Sequence, residues 1–167
     1  MAVLPLGRWL MLYKASVLLL LCGLMFGQET YIQKRERFAH AIALTEGCYV
    51  RGSIPNRYNN CGDLKRMTTG GKYPEQAGVG KGGHIIFRTK EAGWTALLHQ
   101  IDKMTSGESL LYRQEMTLQQ VGKLYAQNSR RWANNMAKYL GVPPSTTLGE
   151  YFELPPRVTI KFDGRMP

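Results

Sequence analysis

The sequence predicts a mainly helical α+β domain, and three observations carry that expectation. Apolar residues recur at helical spacing in four stretches, each bounded by a capping Thr or a terminating Gly. One short apolar run, His84-Ile85-Ile86-Phe87, follows a glycine-rich segment and reads as a strand. No repeat or heptad is present, and 44% hydrophobic content over 167 residues suits one small domain with its own core.

The N-terminal segment is set apart from that domain. Arg8 and Lys14 precede Ala15 to Phe26, an apolar run of 12 residues, short for a membrane span and typical of a signal-peptide core. Residues 1–27 are therefore expected to be an export signal or, if uncleaved, an N-terminal anchor, the chain's only contact with a membrane. Cys22 follows Leu21, too large a residue for a lipoprotein site. Removing this segment leaves 20 basic against 12 acidic residues, a charge of about +8, which suits a polyanionic partner such as a wall polymer. The charges are scattered rather than gathered in one run. Two cysteines remain, Cys48 and Cys61, an even pair that an oxidising compartment could join; two buried thiols are the alternative.

The first domain helix is expected from Thr30, as cap, to Glu46. Phe38, Ile42 and Glu46 recur every four residues and share one face, so Glu46 lies on the apolar side of the last turn, stopped by Gly47. Burial and the negative end of the helix dipole both disfavour its ionisation. A carboxyl that keeps its proton near neutral pH suits a general acid acting on a poor leaving group, such as a glycosidic oxygen. The plainer reading is a solvated helix-end residue.

Cys48 to Gly83 is irregular, with turns at Ser53-Ile54-Pro55-Asn56 and Asn59-Asn60-Cys61-Gly62 and a flexible excursion or small β-wing between Gly70 and Gly83. GVGKGG at 78–83 is not a phosphate loop, since Glu75 and Gly82 stand where Gly and Ser or Thr are required. Thr89 caps a helix whose apolar face is Trp94, Leu97, Leu98, Ile101 and Met104, broken at Gly107. A short helix is expected around Ser109 to Gln114. Thr117 and Gln120 form a capping box, with Leu118, Val121, Leu124 and Tyr125 inward. A further helix ends at Leu140 before Gly141, with Trp132 and Met136 in its face, and Thr147 and Glu150 cap a last turn. The tail, 155–167, alternates Val158, Ile160 and Phe162 as a strand would. His40, His84 and His99 never take a metal-ligand spacing, and neither a metal nor a cofactor is expected. Cys48 with His84 has nothing local to support a nucleophile.

With Glu46-Gly47, Ser53-Ile54-Pro55 and Asn59-Asn60-Cys61-Gly62-Asp63-Leu64 read together, the chain resembles the lysozyme-like domain of the lytic transglycosylase and goose-type lysozyme superfamily. More narrowly it is similar to small exported or phage-associated proteins with an EGF/Y…SIP.R.NNPGNL pattern. Phe87-Arg-Thr-Lys-Glu-Ala-Gly-Trp94 resembles that group's F-x-[ST]-x-E-[DA]-G-W, and Leu97, Gln100, Tyr125-Ala126 and Leu140-Gly141-Val142-Pro143 follow in order. The resemblance spans residues 34–150 and implies a lysozyme-like domain over 28–154.

It further implies that Glu46 is the general acid/base cleaving the β-1,4 bond between N-acetylmuramic acid and N-acetylglucosamine. Asn59, Asn60 and Asp63 would bond sugar hydroxyls and acetamido groups, with Tyr49 or Tyr125 as stacking surfaces. Peptidoglycan strands would be the partner of a monomer that is periplasmic or extracellular. Cys61 stands where the pattern has Pro, which makes it a natural counterpart for Cys48. Two-carboxylate hydrolysis needs a second acid, for which Asp63 is nearest in sequence, whereas a lytic transglycosylase needs one. Absence of a second acid in a convincing context tilts the expectation toward the latter. The competing readings are a non-catalytic peptidoglycan-binding module and a basic nucleic-acid-binding protein, for which aromatics interleave with bases at 31–37 and 125–132. Amphipathic helices produce that pattern without any ligand, so no nucleic acid is expected.

Overall fold

The computed structural model describes residues 29–67 and 69–156. The proposed signal and the alternating tail at Val158, Ile160 and Phe162 lie outside the described residues. Among these, helices α1 (Tyr31–Thr45), α2 (Ile54–Arg57), α3 (Lys90–Ser106), α4 (Leu118–Tyr125), α5 (Ser129–Leu140) and α6 (Leu148–Phe152) surround one core. A two-stranded antiparallel sheet joins β1 (Gln76–Val79) to β2 (Ile85–Phe87). The architecture is the expected α+β, mainly helical. No helix among the described residues is long and apolar enough to cross a membrane.

The core follows the predicted faces. Phe38, Ala39 and Ile42 of α1 pack with Leu97, Ile101 and Met104 of α3 and with Trp132, Ala133 and Met136 of α5. Leu118 and Val121 of α4 and Leu148, Tyr151 and Phe152 of α6 complete it. Both predicted capping boxes form: the Thr117 and Thr147 hydroxyls accept the amides of Gln120 and Glu150, whose side chains accept the Thr amides in return. Thr89 caps α3 through the Ala92 amide.

Two local expectations are corrected. Ser109 to Gln114 is not helical: Ser109 Oγ accepts the amides of Leu111 and Tyr112 as a cap would, but no helix follows, and Tyr112 and Gln114 are buried while Leu110 and Leu111 are exposed. Leu124 is exposed rather than inward. The reason is helical phase: Leu118, Val121, Gly122 and Tyr125 stand at i, i+3, i+4 and i+7 and form the inward stripe, and Leu124 at i+6 falls outside it. Gly122 lets α4 lie so close to α5 that a Cβ there would stand 2.8 Å from the Ser129 carbonyl oxygen and 3.2 Å from Trp132.

The expected β-wing is the β1–β2 hairpin, closed by a 3-10 turn at Lys81–Gly83. The preceding loop runs beside β2. Phe87 N donates to Tyr58 O, Ile85 N to Leu64 O, and Lys65 forms an isolated bridge with His84. A second cluster, Leu64, Ile85, Phe87 and Ala96, fixes this unit against α3.

Candidate active site

The end of α1 places Glu46. Its amide still donates to Ile42 O at 2.8 Å, Gly47 then takes the left-handed conformation at φ 71°, and Cys48 N returns to Ala43 O. The last helical bond is thus the one Glu46 itself donates, and Glu46 stands in the turn that closes α1 with its side chain half-buried. Trp132 of α5 donates its indole N–H to Glu46 Oε1 at 2.8 Å. The Trp132 ring is stacked on Tyr125 at 5.0 Å, and Tyr125 donates its hydroxyl to Gly62 O at 2.6 Å. One line of contacts therefore runs from the Cys61-Gly62 loop through two aromatic rings to the carboxyl.

Burial pushes the Glu46 carboxyl up to about 7, and the nearby Asp63 carboxylate acts in the same direction; the Trp132 hydrogen bond and Lys65 pull the other way. The group is then close to half-protonated at neutral pH. It opens onto a cleft of about 320 Å³ lined by Thr45, Glu46, Ala126, Asn128, Arg131, Trp132 and Asn135. Chemically this is one proton donor facing a cleft whose wall offers two amides and a guanidinium.

The loop that follows is stapled by a Cys48–Cys61 disulfide with the two Cα atoms 4.9 Å apart. The bridge removes Cys48 from any nucleophilic role. Ser53 Oγ donates to Gly47 O, and Asn56 donates to Cys48 O, so the turn after Glu46 is held from both sides. Asp63 also has a positive φ, 49°, and its Oδ1 lies 2.7 Å from His84 Nδ1.

Other expected site residues have different places. Asn60 is fully buried: Nδ2 donates to Leu64 O and Ile85 O, and Oδ1 accepts from Leu64 N. Its amide is committed to joining loop and strand, which corrects the expectation that it meets sugar. Asn59, at φ 53°, donates Nδ2 to Phe87 O. Tyr125 supports Trp132 rather than lining the cleft, which corrects its assignment as a stacking surface. Tyr49 is exposed beside His40, its hydroxyl 3.0 Å from Nδ1, and is not part of the cleft lining.

From the sequence Trp132 reads as core and as one aromatic of the basic stretch 125–132, and Asn128, Arg131 and Asn135 carry no site signal of their own. Their spacing of three and four along α5 was visible, but a polar stripe at that spacing is what any solvated helix face gives. Among the described residues no group of three or more His, Cys, Asp or Glu side chains is gathered to hold a metal ion. None of the family models, curated proteins or solved structures compared with the chain matches it.

Proposed function

We propose that the protein is a peptidoglycan-cleaving glycosidase of lysozyme-like type, with Glu46 as its general acid/base. The observation that carries the reading is a half-buried carboxyl, raised to about 7, at the head of a polar cleft. Glycosidic cleavage needs a proton delivered to the leaving oxygen as the C1–O bond breaks, from a group that still holds one at working pH. Because Glu46 Oε1 accepts from Trp132, the acidic hydrogen belongs on Oε2. Trp132 thereby orients the acid. Asn128 and Asn135 are suited to the hydroxyl and acetamido groups of an amino sugar, and Arg131 to the carboxylates of the stem peptide attached to muramic acid. The sequence blocks that resemble lytic transglycosylases and goose-type lysozymes support the same substrate.

The test is release of soluble glycan from purified peptidoglycan by the wild type and by Glu46→Gln. The variant keeps the side chain's shape and loses only the acid, so release should fall by about 10²- to 10⁴-fold while binding persists. Equal release by both proteins would remove Glu46 from the mechanism. Binding without release by the wild type would leave a wall-binding module instead.

A further inference from the structure

We propose that Tyr49, His40 and Trp94 form a second sugar-binding surface outside the cleft, on which a ring of the wall glycan stacks. The choice of ligand rests on the glycosidase reading; the surface itself does not. Four side chains are joined in a line. The Trp94 indole N–H donates to Glu36 Oε2 at 3.3 Å, the His40 ring lies 4.7 Å from the Trp94 ring, and His40 Nδ1 stands 3.0 Å from the Tyr49 hydroxyl. Glu36 and His40 are one turn apart on the face of α1 opposite Phe38 and Ile42, and Trp94 reaches them from α3. None of the four lines the cleft.

Tyr49 is 56% exposed yet fixed. Cys48 beside it is bridged to Cys61, the Cys48 carbonyl accepts from Asn56, and Val50 N donates to Gly47 O. The backbone is thus held on both sides of the ring, and His40 holds its hydroxyl. An aromatic ring that has given up its freedom before a ligand arrives loses little entropy when one stacks on it.

A pyranose ring carries C–H bonds on its flat face, which suit the electron-rich face of an aromatic ring, and hydroxyls around its edge. Trp94 takes one Glu36 oxygen and Tyr49 one His40 nitrogen, which leaves Glu36 Oε1 and His40 Nε2 for those hydroxyls. The surface also continues from the cleft. Exposed Leu44 adjoins Thr45 of the cleft wall, and Tyr49 follows Glu46 by three residues, a span of about 11 Å at most. A polymer held at Glu46 can therefore reach Tyr49 with its neighbouring units, and two contacts on one strand bind more tightly than either alone.

The test is co-sedimentation of the Glu46→Gln protein with purified peptidoglycan, with and without Tyr49→Ala, in salt high enough to screen the basic surface. Tyr49→Ala should weaken binding about 3- to 10-fold, and Tyr49→Phe, which keeps the ring, should retain most of it. A tetramer of N-acetylglucosamine, which carries neither peptide nor charge, should shift the Tyr49 and Trp94 ring signals in NMR. Neither readout requires cleavage, so absence of product from the wild type leaves both interpretable. Unchanged sedimentation of folded Tyr49→Ala protein would overturn the proposal. Ring signals that stay put with the tetramer would overturn it too, by making the stem peptide the ligand, as would self-association lost in Tyr49→Ala with sedimentation intact, by making the face a contact between copies of this chain.

Discussion

Glu46 is uncharged at mildly acidic pH because burial and Asp63 outweigh the Trp132 indole N–H and the Lys65 ammonium. The same balance makes it a liability for stability. A carboxyl whose folded value is raised binds more protons folded than unfolded, so stability is complete below the unfolded value of 4.5 and falls until about pH 7. At 1.36 kcal/mol per unit the loss approaches roughly 3 kcal/mol. Glu46→Gln should therefore gain on the wild type by up to that amount between acid and mildly alkaline urea titrations, and equal pH dependence in the two proteins would contradict the burial argument. Trp132→Phe removes a donor that favours the ionised form, so the Glu46 midpoint should rise further on NMR titration while glycan release falls; a midpoint that drops would mean the indole acts otherwise. Glu46 itself was legible, since Phe38, Ile42 and Gly47 fix its phase and its position at a helix end. Its partner was not. The spacing of Trp132 with Met136 and Leu140 defines a core face equally well whether or not the indole N–H finds an acceptor. Asn60 was misjudged for a related reason: asparagine in a turn serves ligand or backbone alike, and only the approach of β2 decides.

At the scale of elements, Gly93 fixes how α3 meets the loop. A Cβ there would run into the backbone carbonyl of Asn59, which cannot swing aside. Gly93→Ala should therefore cost about 2 kcal/mol or more in urea unfolding, and should disturb the loop carrying Cys61 and Asp63. An alanine variant of wild-type stability would show that the loop is not seated on α3. Caps were read well because they are chemistry within four residues: Thr117 with Gln120, Thr147 with Glu150, Thr89 with Ala92. Ser109 to Gln114 carries the same cap, Ser109 Oγ accepting the amides of Leu111 and Tyr112, yet forms no helix, because a cap signal does not fix whether the turns after it continue. The outward turn of Leu124 follows from phase, since Leu118, Val121, Gly122 and Tyr125 already make the i, i+3, i+4, i+7 stripe once the glycine is counted as part of the buried face.

For the whole molecule, two long-range ties close the fold around α1. Nearly buried Lys34 pairs with Glu153 at 2.6 Å, and Tyr151 donates to the Lys34 carbonyl, fastening α6 to the first helix. The Cys48–Cys61 bridge closes a loop of about 14 residues and should contribute on the order of 3 kcal/mol. Reduction should lower the urea midpoint accordingly, and an unaltered midpoint would mean the loop is held by its hydrogen bonds alone. The fold class and the bridge were accessible from cap spacing and an even cysteine pair. The ties of Lys34 were not, because a lysine among arginines on a helix reads as solvated until a partner more than a hundred residues away arrives. The central claim concerns what this assembly does to a glycan. Mass spectrometry of muropeptides after incubating purified peptidoglycan with the wild type and with Glu46→Gln tests it most directly. The account predicts products from the wild type alone, with anhydro ends if the sugar's own hydroxyl completes the reaction and reducing ends if water does. Identical products from both proteins, or none from either, would contradict it.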